Sequence, residues 1–147
     1  DRRKIDIKYI KKIGIPIGPL LGELQKGKSI VWKGKKVDVS KATKIVNGKK
    51  ITIINDTLPC GNADVLAKNS NLIICEATYS SNLEDKSKKH MHMTAAQAGK
   101  LAKKANAGKL ILTHFSARYK DTKELEKDAK KYFKYVCCAK DFMRIEV

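Results

Sequence analysis

The chain has 147 residues and carries 32 Lys and Arg against 15 Asp and Glu, which gives a formal net charge of +17. This excess favours a polyanionic partner such as RNA or DNA, because each phosphate contact releases condensed counterions, and the alternative is a Lys-rich composition that only aids solubility. No apolar run approaches the roughly 18 residues that span a membrane, and the four cysteines, which include no C-x-x-C pair, argue against a disulfide framework.

Residues 1–48 are predicted to form a helical and hairpin lead-in. Ile5, Tyr9, Ile10 and Ile13 recur at helical spacing, and the proline- and glycine-rich stretch that follows makes a rigid turn. In chain order we predict a helix over 4–13, a second helix over 20–25, and a hairpin of strands 29–32 and 36–39.

From residue 49 onward, short apolar runs alternate with helical patterns, which predicts a βαβαβ core over 49–147. The predicted strands are 51–54, 72–75, 110–113, 135–138 and 142–147. The predicted helices are 63–68, 94–106 and 122–133, with Thr94 as a helix N-cap and a polar loop over 80–89. Strands separated by helices imply an α/β fold with a mostly parallel sheet and right-handed crossovers.

Polar residues follow three of these strands. Asp56, Glu76 and His114 come at or just after the carboxyl ends of the first three, and His90 and His92 precede the long helix. Ligands of open α/β sheets collect at this edge, so the cluster suits a metal site or acid–base catalysis. The alternative is structural, because polar residues at strand ends often cap the next helix.

Five sequence blocks stand out, namely GIPIGPLLG at 14–22, DTLPC at 56–60, CEAT at 75–78, HMTAAQA at 92–98 and LTHFSARY at 112–119. Their order and spacing resemble ribonuclease Z, and the resemblance extends over nearly the whole chain. The resemblance implies that the chain is the C-terminal half of such an enzyme. It also implies an α/β fold that forms half of a metallo-β-lactamase-type αβ/βα sandwich, with a mixed, mostly parallel sheet flanked by helices.

The resemblance also implies residue roles. Asp56 matches an aspartate that bridges two zinc ions, and His114 matches a terminal zinc ligand. His92 matches the catalytic acid that protonates the leaving 3′ oxygen, and Glu76 matches the glutamate that hydrogen-bonds it. Arg118 matches an arginine at the scissile phosphate. For each residue a purely structural role is the alternative, such as a helix cap, a strand-end hydrogen bond or a surface charge.

The chain also departs from the family pattern. Asn55 replaces Gly, Leu58 replaces Arg, Cys75 replaces His, Met93 replaces Ser and Ala117 replaces Pro. The H-x-H-x-D-H block that supplies most zinc ligands is absent, as is the arm that grips the tRNA elbow. His90 competes with His92 for the catalytic position, and the block after His92 favours His92. By itself the chain is therefore expected to bind metal poorly and to cut nothing.

The function that the resemblance implies is zinc-dependent removal of the 3′ trailer from precursor tRNA, as part of an intact enzyme with two zinc ions. The alternatives are an inactive fragment or degenerate copy that needs an N-terminal half, a non-catalytic basic RNA-binding module, and another phosphodiesterase of the superfamily. Residues 1–147 are expected to form one domain, in a homodimer without membrane contact. An intracellular, cytoplasmic location is expected, with an organelle or the nucleus left open.

Overall fold

The computed structural model describes all 147 residues, which divide into two compact units, Asp1–Gly48 and Lys49–Val147. The first unit contains seven short elements. They are β1 (Arg2–Ile5), α1 (Ile7–Lys12), α2 (Pro19–Gln25), β2 (Ile30–Trp32), β3 (Lys35–Val37), α3 (Val39–Ala42) and β4 (Thr43–Val46).

The first unit consists of two antiparallel strand pairs and three helices around a small apolar core. Strand β1 pairs with β4, and β2 pairs with β3 in the predicted hairpin. The hairpin turns at Lys33 and Gly34, whose φ angles of 50° and 73° suit a two-residue turn. Helix α2 begins at Pro19, where the missing N–H of proline is no loss. Both predictions are confirmed.

The predicted helix over 4–13 begins too early. Residues up to Ile5 form β1, and α1 begins at Ile7 after Asp6, whose carboxylate accepts a hydrogen bond of 3.1 Å from the Tyr9 N–H. The helical spacing of the apolar residues did not reveal a strand whose partner lies 40 residues further on. That partner, β4, and the short helix before it were not predicted.

The second unit contains the predicted alternation of strands and helices. Its elements are β5 (Ile51–Ile54), α4 (Gly61–Ala67), β6 (Leu72–Glu76), a 3-10 turn (Ser81–Leu83), α5 (Glu84–Lys89), α6 (Ala95–Lys104), β7 (Lys109–Thr113), α7 (Lys123–Lys130) and β8 (Val136–Cys138). The four strands form one sheet in the order β5-β6-β7-β8, and every neighbouring pair is parallel. The only antiparallel pairs are the two in the first unit, so the core sheet is fully parallel rather than mixed.

The core of the second unit lies between one face of this sheet and three helices. Ile73, Cys75, Leu110 and Leu112 point into it together with alanines of α6 and the inner residues of α4 and α7. Helices α6 and α7 approach closely at Gly99, where an added Cβ would lie 2.7 Å from the carbonyl oxygen of Ala129. Glycine is therefore required at this crossing.

The opposite face of the sheet is apolar but partly open. Strand β5 lies at the sheet edge, and its outward residues Ile51 and Ile53 are 52% and 60% exposed. Parallel sheets are normally covered on both faces. The second unit therefore has the layers of half a sandwich, with helices on one face of the sheet.

Three further differences from the sequence prediction concern the second unit. The polar loop over 80–89 contains the 3-10 turn and α5, and α7 is shorter than predicted. The predicted strand over 142–147 does not form, and Phe142 is fully exposed with a φ of 62°. An alternating pattern cannot form a strand without a partner to supply its hydrogen bonds.

No helix of the structure has the length and apolar character that crossing a bilayer requires.

Candidate active site

The carboxyl edge of the sheet brings four of the singled-out residues together. Asp56 follows β5, Glu76 ends β6, His114 follows β7, and His92 lies in the turn between α5 and α6. Asp56, His92 and His114 each offer one ligand atom, and these three atoms lie within 4.8 Å of one another. Parallel strands cause this convergence, because their carboxyl ends all meet at the same edge.

Glu76 is the buried centre of the cluster, with 0% of its surface exposed. One carboxylate oxygen, Oε1, accepts a hydrogen bond of 2.6 Å from the Thr57 N–H, and Oε2 accepts one of 3.0 Å from the Met93 N–H. The Thr78 hydroxyl lies 2.9 Å from Oε2 as a third donor. A buried carboxylate is tolerated only with such partners. Glu76 therefore ties together the loops that carry Asp56, His92 and His114.

His92 faces two carboxylates. Its Nδ1 lies 3.1 Å from Oε2 of Glu76 and 3.8 Å from Oδ1 of Asp56. Nδ1 is shielded from solvent and makes no aligned hydrogen bond, so the 3.1 Å contact is one of charge and proximity. The side chain as a whole is 22% exposed. The ring is thus held from the protein side while one edge stays open to a substrate.

His114 is connected to Glu76 through Thr78. Its Nδ1 lies 2.9 Å from the Thr78 hydroxyl oxygen, and its Nε2 lies 3.2 Å from Oδ1 of Asp56. The Thr78 hydroxyl has one proton, and when it donates that proton to Glu76 it accepts from Nδ1–H of His114. The Nε2 lone pair is then directed at Asp56. A cation bound by both atoms, or a proton on Nε2, would satisfy two acceptors at that distance.

Both candidate metal ligands at strand ends have left-handed backbone conformations. The φ angles are 49° at Asp56 and 56° at His114. Asp and His adopt this region more often than most residues, and it costs on the order of 1–3 kcal/mol at a residue that the surrounding structure must hold there. The strained backbone turns the two side chains sharply out of their strands, towards each other.

These residues fit a metal ion. Carboxylate oxygen and imidazole nitrogen are the ligand types that zinc takes, and three protein ligands with open positions are typical of a catalytic zinc site. Asp56 and His114 are also open to solvent, with side chains 67% and 45% exposed. The bond from Nδ1 of His114 to Thr78 is the outer-shell support that ligating histidines usually have. Two ions would need further ligands.

Arg118 lies at the same edge, beside Tyr79. Its guanidinium carbon is 5.3 Å from the centroid of the Tyr79 ring, and its Nε donates a hydrogen bond of 3.2 Å to the Ser116 hydroxyl. The Tyr79 ring is in turn 6.3 Å from the ring of His92 and 6.3 Å from that of His90. Arg118 forms no ion pair. Its charge is therefore available to an anion near His92, and His90 is an exposed neighbour.

Sequence reasoning missed Thr78 and Tyr79. Both lie in the segment just after Glu76 and Ala77, and a parallel bridge joins Tyr79 to Thr94, the N-cap of α6. Thr78 was within the quoted CEAT block, which was the available signal. The prediction of Thr94 as N-cap is confirmed, since its hydroxyl accepts from the Gln97 N–H and its own N–H donates to Oε1 of the Gln97 side chain.

The two departures nearest to the catalytic candidates contact each other. The Cys75 thiol lies 3.9 Å from the Met93 sulfur, and both residues are buried in the helix-side core. Burial, with a smaller contribution from the charge of Glu76, raises the pKa of Cys75 to about 12. Only the backbone N–H of Met93 reaches Glu76, so the Cys75–Met93 pair leaves the hydrogen bonds of the site intact.

Solved structures with a similar fold define the class. A metallo-β-lactamase fold protein, YhfI from Bacillus subtilis, matches 67% of this chain and 40% of its own chain at a TM-score of 0.58 and 28% identity. The short form of human tRNase Z matches 67% of this chain and 34% of its own at a TM-score of 0.53 and 36% identity. No protein-family model matches. The predicted half of a metallo-β-lactamase-type sandwich is confirmed.

Sequence relatives identify the branch within that class. Ribonuclease Z of Archaeoglobus fulgidus is 40% identical over 140 residues, which are 93% of this chain and 45% of the relative. Ribonuclease Z of Protochlamydia amoebophila is 38% identical over 97% of this chain and 46% of the relative. The chain thus spans slightly less than half the length of these relatives, and it is homologous to the C-terminal half of ribonuclease Z.

Proposed function

We propose that this chain supplies the C-terminal half of a zinc-dependent endoribonuclease that removes the 3′ trailer from tRNA precursors. The observation that carries the proposal is the cluster of Asp56, His92 and His114 around the buried Glu76, in a chain homologous to ribonuclease Z. In this proposal Asp56 and His114 are the metal ligands and His92 is left to donate a proton, and hydrolysis of a phosphodiester by metal and acid uses both.

In the proposed reaction each residue has a separate task. Asp56 and His114 hold zinc, which when bound supplies Lewis-acid activation of the phosphodiester. Water adds to the phosphorus as the bond from phosphorus to the 3′ oxygen breaks, so the phosphate stays on the trailer. His92 donates a proton to the leaving 3′ oxygen, and the mature tRNA ends in a 3′ hydroxyl. Glu76 orients the His92 ring through the contact at 3.1 Å. Arg118 binds the phosphate that is cut, and its position on Tyr79 holds it beside His92.

The proposal includes the need for an N-terminal half. Asp56 and His114 are too few ligands for two zinc ions, and the apolar sheet face with Ile51 and Ile53 is suited to a second layer. The net charge of +17 favours tRNA as the polyanionic substrate. A homodimer and a cytoplasmic location stay predictions.

Reconstitution tests this proposal. The chain would be co-expressed with the N-terminal part of the Archaeoglobus fulgidus relative, and cleavage of an end-labelled tRNA precursor would be followed with zinc content. We expect two bound zinc ions and cleavage after the discriminator nucleotide, and both should require both halves. His92→Ala should retain zinc and lose cleavage, whereas the control His90→Ala should keep both. Full activity of Asp56→Ala or His92→Ala would contradict the assigned roles.

The second candidate function is a basic RNA-binding module without catalysis, which the charge favours. The same preparations separate the two. Tight binding of the precursor with no zinc and no cleavage in the presence of the N-terminal half would support the second function. Binding, zinc and cleavage together would support the first.

A further inference from the structure

The first unit contains a cleft that the candidate active site does not use. Its volume is about 540 Å³, within the range of about 300–1,000 Å³ that is usual for ligand sites. It is lined by two aromatic residues, two aliphatic residues next to the core and three lysines, namely Tyr9, Trp32, Ile13, Val37, Lys33, Lys35 and Lys36. Every lining residue belongs to α1 or the β2–β3 hairpin, or directly adjoins one of them.

No ion pair neutralises the lysines of the cleft. None of Lys33, Lys35 and Lys36 has a carboxylate oxygen within 4.0 Å, and no acidic residue lines the cleft. The nearest acidic residue in sequence, Asp38, is occupied as the N-cap of α3 by bonds of 2.8 Å from Ser40. Three free ammonium groups around one cleft suit a ligand with several negative charges, such as consecutive phosphates.

The aromatic residues of the cleft indicate which chemical group of the ligand lies between its negative charges. Tyr9 and Trp32 are half-buried beside the core of the first unit, and Lys33 places its ammonium 5.9 Å from the centre of the Trp32 ring. A planar ring would complement these side chains by stacking on the aromatic rings.

We propose that this cleft binds unpaired nucleotides of a single-stranded nucleic acid, with a base against Tyr9 and Trp32 and the flanking phosphates on Lys33, Lys35 and Lys36. A duplex keeps its bases stacked on each other, so it cannot offer a base face to the cleft. That the strand is RNA rests on the proposed function. The cleft contributes affinity for an unpaired stretch of the substrate and takes no part in cleavage.

The test uses the fluorescence of Trp32, which is the only tryptophan of the chain. The chain would be titrated with an octamer of uridylate, the matching deoxythymidylate octamer, an RNA duplex of equal length and heparin. We expect saturable quenching by the two single strands, with half-saturation at least about tenfold lower in concentration than for the duplex, since stacking on aromatic rings contributes strongly per base. Tighter binding of uridylate than of deoxythymidylate identifies RNA as the preferred strand.

A matched pair of variants locates the binding. The cleft variant carries Lys33→Gln, Lys35→Gln and Lys36→Gln, and the control variant removes the same charge elsewhere in the first unit with Lys26→Gln, Lys28→Gln and Lys41→Gln. All six residues are exposed, so folding should be unaffected, which circular dichroism would verify. In the cleft variant we expect the slope of log affinity against log salt concentration to become shallower by about 2, because each of the three lost phosphate contacts contributes roughly 0.7 to that slope.

Three results would overturn the inference. They are the absence of quenching by any strand, equal quenching by heparin or duplex, and an equal loss of affinity in the control variant. Because the titration involves no cleavage and no N-terminal half, it is independent of the reconstitution experiment. A chain that binds uridylate in the cleft but does not cleave the precursor even when combined with the N-terminal half would refute the proposed function and support this inference.

Discussion

Thr78→Val is the substitution that most directly tests how the site is held. Valine keeps the shape of threonine and removes only the hydroxyl, which lies 2.9 Å from Glu76 Oε2 and 2.9 Å from His114 Nδ1. Thr78 is 6% exposed, so water does not easily replace the lost partner. A hydrogen bond to a charged group contributes about 1.5–3 kcal/mol. The His114 side chain is 45% exposed, so water compensates most of its freed N–H and the added penalty is about 0.5–1 kcal/mol. We expect the free energy of unfolding to fall by about 2–4 kcal/mol.

Thr78→Val should lower the affinity for zinc more than an ordinary substitution in the core would. Loss of the outer-shell partner of a ligating histidine typically lowers metal affinity about 10–100-fold. Urea unfolding by far-UV circular dichroism would give the stability of the chain, and chelator competition would give the zinc affinity of the reconstituted protein. Thr78→Ser keeps the hydroxyl and is the control, with both quantities expected close to those of the parent protein.

Two outcomes would refute the reasoning. If Thr78→Val bound zinc as tightly as the parent protein, the hydroxyl would not support His114 in the tautomer assigned here. If Thr78→Val lost zinc affinity and Thr78→Ser lost it equally, the packing of the methyl group rather than the hydrogen bonds would position the site.

Three further predictions concern single residues. Gly99→Ala should lower the free energy of unfolding in urea by about 1–3 kcal/mol, because the added Cβ would lie 2.7 Å from the Ala129 carbonyl oxygen. The control Gly61→Ala should change that free energy little, because no atom lies within 4 Å of its added Cβ. At pH 8 a thiol reagent followed by mass spectrometry should label exposed Cys60 and leave Cys75 unmodified. The pKa of the Cys75 thiol is raised from 9.0 to about 12 in the folded chain, so its contribution to stability is fully present below pH 9 and is lost as the pH rises towards 12. If the parent protein instead gained stability relative to the Cys75→Ala variant over that range, the assignment would be contradicted. In calorimetry the chain without an N-terminal half should bind at most one zinc ion, and His114→Ala should abolish that binding. Two zinc ions bound by the chain alone would show that ligands are missing from the assigned set.

The second unit is largely readable from sequence. Its strands are buried on the helix side and appear as short apolar runs, and Thr94 is a strong local signal for the start of α6. Because parallel strands place their carboxyl ends at one edge, the position of Asp56, Glu76 and His114 after strands was enough to predict that they lie together. The zinc, acid and phosphate roles of these residues came from the family resemblance and stay predictions.

Local pattern failed where a structure depended on a distant partner. Strand β1 exists because β4 pairs with it, and the stretch over 142–147 has the pattern of a strand without a partner. The polar residues over 80–89 form helical turns because the loop has to return to α6, and their spacing carries no apolar signal. Hydrogen bonds between segments far apart in sequence leave little trace in the composition of either segment.

By itself, therefore, the sequence determined the α/β class, the parallel core and the edge at which the polar residues gather. Only the tertiary structure decided how they are joined: the Thr78 hydroxyl between Glu76 and His114, the contact of Cys75 with Met93, and the lysine-rimmed cleft beside Trp32. The physical reason is range. Periodicity and strand ends are properties of consecutive residues, whereas a hydrogen bond of 2.9 Å between side chains 36 residues apart depends on the packing of several elements at once.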